Sequence, residues 1–274
     1  MKSSTSREHT LCPPDFKKVR HGRATMYLRY DLDPQEVLQK VCAPGDVLKQ
    51  SKKAIVRRVD SWVIKATAEP WPVRVARLNF KRDHGRGAWR AALFLRDNGV
   101  LAPPPLAFIE YRAFGAITGN LTITGYIENA RNVEQYLVAL VQRGLGQAAL
   151  GEYLVRLADA INGLAATGAY HADLSGKNIL TQDGESFYFI DCDAVTVDQP
   201  VSSEARLKNF IQLYDSFCDM LNDTMLYPFI TRMMPPDMDP RVWMPQVRSG
   251  QIKRRRRVEE IWARQGVPPR RAGQ

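Results

Sequence analysis

Between residues 152 and 193 the chain runs through a helix, a polar loop and an apolar strand, in an order that few folds accommodate. Glu152–Thr167 places Leu154, Leu157, Ala158, Ile161 and Leu164 on one stripe at helical spacing, and Gly168 ends it. The loop His171-Ala-Asp173-Leu-Ser-Gly-Lys177-Asn178 follows at once. An apolar strand, Ser186-Phe-Tyr-Phe-Ile190, then delivers Asp191-Cys-Asp193. The spacing from Asn178 to Asp191 suits a hairpin of two short strands, turned at Thr181-Gln-Asp-Gly184-Glu.

These residue types fit one chemistry. Phosphoryl transfer from ATP needs a carboxylate that orients the attacking hydroxyl, oxygen ligands for Mg²⁺ and a cation on the nucleotide phosphates. Asp173 is expected to orient the acceptor proton, while Asn178 and Asp191 are the expected metal ligands. His171 and Lys177 complete the set of catalytic candidates. Turn formers, a loop histidine and a strand-ending aspartate are the plainer reading of the same residues. The helix before the loop and the buried-type strand before Asp191 favour the chemical one.

The flanking pattern supports two unequal parts around a waist at residues 126–131. Strands are expected at 47–49, 54–59, 61–65, 106–111 and 121–127, and helices at 85–98, 133–143, 152–167 and 203–221. Lys65 ends Trp62-Val-Ile-Lys65, the form of the third-strand lysine of kinases, which contacts nucleotide phosphates. Ser51 and Lys52, in the turn before it, and Glu128, in the waist, are the other nucleotide-binding candidates. Residues 1–45 read as an N-terminal extension with a short strand and a helix capped by Asp33. The expected divisions are therefore 1–45, a sheet part over 46–128, a helical part with the loop over 129–245, and a basic tail over 246–274.

Composition narrows the function classes. No window reaches about 18 apolar residues, which speaks against a membrane span. Met1–His9 lacks the apolar run of a secretory signal. The four cysteines have no CxxC spacing, which argues against a zinc site or a disulfide framework. A net charge of +10 favours polyanionic partners. Basic and aromatic residues are not interleaved in a nucleic-acid-binding pattern, so an acidic glycolipid or anionic membrane is the expected partner. Lys253–Arg257, with Trp243 and Trp262, is the candidate interfacial patch.

His171-Ala-Asp-Leu-Ser-Gly-Lys-Asn-Ile-Leu, Tyr188-Phe-Ile-Asp191-Cys-Asp193 and the segment Trp89–Ala107 resemble the lipopolysaccharide core (Kdo and heptose) kinase family. The resemblance covers about residues 47–220. It implies an α+β, protein-kinase-like two-lobed fold, with an antiparallel N-terminal sheet bearing one helix and a mainly helical C-terminal lobe. It also implies ATP and Mg²⁺ as cofactors, a sugar hydroxyl of the lipid A–core glycolipid as acceptor, and cytoplasmic work at the inner membrane of a Gram-negative cell. Three features depart from the kinase pattern. Leu48-Lys-Gln-Ser-Lys-Lys-Ala-Ile replaces a glycine-rich loop, the helix at 85–98 has no glutamate for Lys65, and Ser175 stands where protein kinases carry lysine. A kinase acting on a protein or a small molecule such as an aminoglycoside, and a nucleotide-binding pseudokinase, remain the alternatives.

Overall fold

The computed structural model describes residues 11–80, 84–197, 201–234 and 238–264. The chain start, the Trp262 side chain and the basic end beyond residue 264 lie outside the described residues. Contacts divide the chain into two compact units, one of residues 1–130 with 186–198 and one of residues 131–185 with 199–274.

The first unit opens with the hairpin β1 (Phe16–His21) and β2 (Ala24–Arg29). Helix α1 (Pro34–Cys42) follows, its first turn capped by Asp33, which accepts from the Gln35 and Glu36 amides. Then come β3 (Asp46–Gln50), β4 (Ala54–Val59), β5 (Trp62–Thr67), α2 (Trp71–Phe80), α3 (His84–Asp97), β6 (Pro105–Ala113) and β7 (Ala116–Gly125). The strands form one seven-stranded antiparallel sheet in the order β1-β2-β6-β7-β5-β4-β3.

Residues 16–29, read from the sequence as part of an extension over 1–45, thus supply two strands of this sheet, because β2 pairs with β6 and sets Met26 opposite Ile109. Both strands bury both faces, so their residues are apolar in runs rather than in alternation. Met26, Leu28, Ala107 and Ile109 pack with Val37 of α1 on one face, and Tyr27 and Phe108 pack with Trp89 and Leu93 of α3 on the other. The loop expected between β6 and β7 is a two-residue turn at Phe114 (φ 50°) and Gly115 (φ 80°). Two positive φ values match the twist of a hairpin, so β7 begins earlier than the sequence pattern suggests.

The second unit contains β8 (Arg131–Asn132), α4 (Val133–Gln142), α5 (Gln147–Ala166), β9 (Tyr170–His171) and β10 (Ile179–Thr181). Strands β11 (Phe187–Phe189) and β12 (Val195–Thr196) belong to the first unit. Helices α6 (Ser203–Phe217), α7 (Asp223–Met233) and α8 (Pro240–Arg264) complete the second. Asn132 and Gln135 cap α4 reciprocally. The predicted stripe of α5 is buried along its whole length.

The basic segment 252–257 lies inside the 25-residue helix α8. Arg254 and Arg255 of that segment pair with Asp215, and Arg255 also with Asp219. Trp243 is a core residue, 2% exposed and packed against Phe210 at 4.5 Å between ring centroids, not a surface anchor. Phe210 also stacks on Phe229 and so ties α6, α7 and α8 together. Phe210→Ala is expected to destabilise the protein by about 3–5 kcal/mol, because three helices cannot collapse into the void. A urea unfolding midpoint close to that of the parent would contradict this.

Candidate active site

The loop after β9 is held as a closed hydrogen-bond unit. His171 is fully buried and its Nδ1 accepts from the Asp173 amide at 3.2 Å. The Asn178 amide group donates to the Asp173 carbonyl at 2.7 Å and to the Asp173 carboxylate at 3.0 Å. Ser175 donates its N–H to the Asp173 carbonyl at 3.0 Å and is itself buried. Gly176–Asn178 forms one 3₁₀ turn, which leaves Asp173 and Lys177 exposed while Asn178 is buried. His171, Asp173 and Asn178 are thus brought together, and Lys177 stands on the outer side of the same turn.

Helix α6 clamps the main chain of this loop. Gln212 accepts from the Leu174 N–H at 3.0 Å and donates to the Ala172 carbonyl at 2.9 Å. Asn209 donates to the His171 carbonyl at 2.6 Å, and Ser216 accepts from the Gly176 N–H at 3.0 Å. A side chain at Gly176 would meet Glu134 at 2.6 Å and Phe217 at 3.3 Å, so glycine alone allows this approach. The sequence reading missed these three polar residues. Their signal was present: Asn209, Gln212 and Ser216 lie at i, i+3 and i+7 among Phe210, Leu213 and Phe217, the apolar side of the helix. Gln212→Leu is expected to destabilise the fold by about 1–3 kcal/mol for each loop group left unpaired, and to slow transfer without changing the KM for ATP. Unchanged stability and rate would remove the clamp from the account.

In the first unit, Lys65 on β5 donates to Asp191 at 2.6 Å and reaches Asp193 at 2.5 Å. Burial works to lower the Lys65 pKa, but the adjacent charges of Asp193 and Asp191 and their hydrogen bonds outweigh it and raise the pKa above the ordinary lysine value. Lys65 is therefore a fixed cation. Asp191 itself sits in the left-handed region at φ 63°, ψ 52°. Such backbone in a residue other than glycine costs on the order of 1–3 kcal/mol and is often kept for function. Between the two aspartates, desolvation pushes the Cys192 thiol up to about 12, so it stays neutral.

The remaining nucleotide candidates lie apart from Lys65 in their bonding. Ser51 closes the β3–β4 turn on itself: its N–H donates to the Ala54 carbonyl at 2.9 Å, and its hydroxyl accepts from the Lys53 and Ala54 amides. The Ser51, Lys53 and Ala54 amides are thus engaged within the turn. Lys52 is exposed there. The Glu128 carboxylate is bonded by Arg58 at 2.9 Å, and Arg58 also stacks over Tyr126.

An antiparallel sheet carrying a lysine, a helical unit holding an H-x-D loop, and an I-D-x-D turn that follows that loop in sequence and meets the sheet lysine define a protein-kinase-like fold. Comparison with solved structures agrees. WaaP in complex with acyl carrier protein aligns with a TM-score of 0.60 at 18% identity, over 81% of this chain and 92% of that one. WbdD aligns at 0.46 and 13% identity over 77% and 46%, and a glucosamine kinase at 0.40 and 13% over 85% and 65%. No curated protein sequence matches. The lipopolysaccharide kinase (Kdo/WaaP) family matches residues 75–231, more than half of the chain. The chain belongs to this family and is an ATP-dependent kinase. The match includes Asp173, Asn178, Asp191 and the α6 clamp, and begins after Lys65.

Proposed function

We propose that this kinase transfers the γ-phosphoryl group of ATP to a sugar hydroxyl, on Kdo or heptose, of the lipid A–core glycolipid. The carrying observation is the Asp173–Asn178 unit within the residues that match the family. Asp173 receives the hydroxyl and accepts its proton as the oxygen attacks phosphorus. His171 holds the Asp173 main chain, and Lys177 attracts the acceptor or the transferred phosphoryl group. Lys65 meets the nucleotide phosphates, with Lys52 beside the Ser51 turn adding positive charge. Glu128 contributes through its main chain, since its carboxylate is engaged by Arg58.

Asn178 and Asp191 fit a magnesium ion by the chemistry of their donors. The Asn178 NH₂ group is committed to Asp173, which leaves its amide oxygen as the ligand atom, and Asp191 supplies a carboxylate. When bound, magnesium neutralises charge on the phosphates.

Among the described residues no helix is long and apolar enough to cross a membrane. The exposed basic residues Arg241, Lys253, Arg256 and Arg257 of α8 support contact with an anionic leaflet, at about 1 kcal/mol each. Lys253→Glu with Arg256→Glu is expected to reduce co-sedimentation with phosphatidylglycerol vesicles; undiminished sedimentation would remove α8 from that contact.

The deciding assay transfers labelled γ-phosphate to purified core glycolipid, with proteins and aminoglycosides as competing acceptors. Labelled glycolipid supports the proposal. Label only on a protein or an aminoglycoside would overturn the acceptor.

A further inference from the structure

Protein kinases hold their strand lysine with a glutamate from the neighbouring helix. Helix α3 cannot do this. Its only acid is Asp97, at its last residue, where it accepts from Arg96. The ion pair that α3 makes with a strand of the sheet is of the opposite sense. Arg86 donates to Glu110 of β6 through two nitrogens, at 2.5 and 2.9 Å, and Glu110 is 1% exposed. Lys65 instead meets two carboxylates of the I-D-C-D turn, Asp191 and Asp193.

One of these has a second duty. A metal ion on Asp191 competes with Lys65 for the same carboxylate, and a divalent ion is the stronger partner. Asp193 carries no such assignment. It is also fixed by its setting. Asp191 starts the 3₁₀ turn Cys192–Ala194 from a left-handed conformation, and the Ala194 N–H closes it on the Asp191 carbonyl at 3.0 Å. Helix α3 packs directly on that turn. The helix thus supports the lysine's partner rather than supplying it.

We infer that Asp193 is the positioning residue that keeps Lys65 aimed at the nucleotide phosphates, replacing the helix glutamate that α3 lacks. The inference rests on Lys65 contacting nucleotide, as proposed above. The lysine has a relay of partners. Both aspartates hold it before nucleotide arrives, and Asp193 alone retains it once Asp191 turns to the metal.

The test measures Mg·ATP affinity of the full chain by calorimetry, without any acceptor, for the parent, Asp193→Asn, Asp193→Glu, Lys65→Met and Lys65→Met with Asp193→Asn. Asp193→Asn is expected to weaken binding about tenfold, because an unheld lysine samples many positions. Asp193→Glu is expected to restore most of it, and the double variant to bind no worse than Lys65→Met. Parent-like affinity of Asp193→Asn overturns the inference. So does additivity in the double variant, which would make Asp193 an independent contact such as a metal ligand. Thermal unfolding separates lost affinity from lost fold, and Asp193→Ser carries the same comparison if the asparagine variant does not fold. A parent chain that binds Mg·ATP normally while Asp193→Asn is unaffected sinks this inference alone. A parent chain that binds no Mg·ATP sinks the nucleotide reading itself.

Discussion

Asp173→Asn is expected to slow phosphoryl transfer by about 10²–10⁴-fold, the range in which a positioned proton acceptor contributes. The side chain is exposed and accepts a hydrogen bond from the Asn178 amide group. Asparagine can keep that bond through its own carbonyl oxygen. The fold should therefore be almost untouched, with a change in unfolding free energy within about 0.5 kcal/mol, as at other surface sites. The combination is diagnostic, because a structural aspartate would show the reverse: lower stability and preserved turnover. Turnover with labelled γ-phosphate, read beside a thermal melt of the same sample, decides it. Transfer at the parent rate would remove Asp173 from the chemistry.

Asp191→Asn is expected to lower transfer by about a hundredfold or more, with a higher magnesium concentration needed for half-maximal rate. A neutral amide oxygen is a weaker ligand for a hard dication than a carboxylate. The choice of asparagine matters. Asp191 occupies a left-handed conformation, which asparagine tolerates and alanine does not, so Asp191→Ala would add backbone strain of roughly 1–2 kcal/mol to any loss of ligation. Lys65 keeps Asp193 in the asparagine variant, so the cation stays in place while the metal site is weakened. A magnesium titration with ATP saturating reads this. An unshifted midpoint would contradict the assignment of Asp191 as a ligand.

Much of this is legible in the amino-acid sequence. The stripe of α5, the H-x-D loop, the strand into Asp191 and the β4–β5 pair each carry a local period or turn signal, and local signals survive in a one-dimensional string. Helix α2 was missed because Trp71-Pro-Val-Arg-Val reads as a break. Pro72 lies in the first helical turn, where a missing N–H costs nothing. The pairing of β2 with β6 was missed for a different reason. Its partners lie some eighty residues apart, Met26 with Ile109, and nothing in either strand names the other. The same limit hid the α6 clamp, whose acceptor Gln212 serves a loop 38 residues earlier.

The loop His171–Asn178 and the turn Asp191–Asp193 were legible in the sequence alone, because the helix before the loop, the Gly184 turn and the apolar strand before Asp191 are all local signals. The same sequence marked α3 as lacking a glutamate, and so marked Lys65 as a lysine without its usual partner. Only the tertiary structure decided what takes that place. The bond from Lys65 to Asp191 spans 126 residues, and its closure depends on how β5 and the I-D-C-D turn are packed within one unit. A charge pair of that separation leaves no periodic trace in the chain. It forms because the packing of β5 against the I-D-C-D turn brings a cation and two carboxylates within hydrogen-bond reach in a partly desolvated setting.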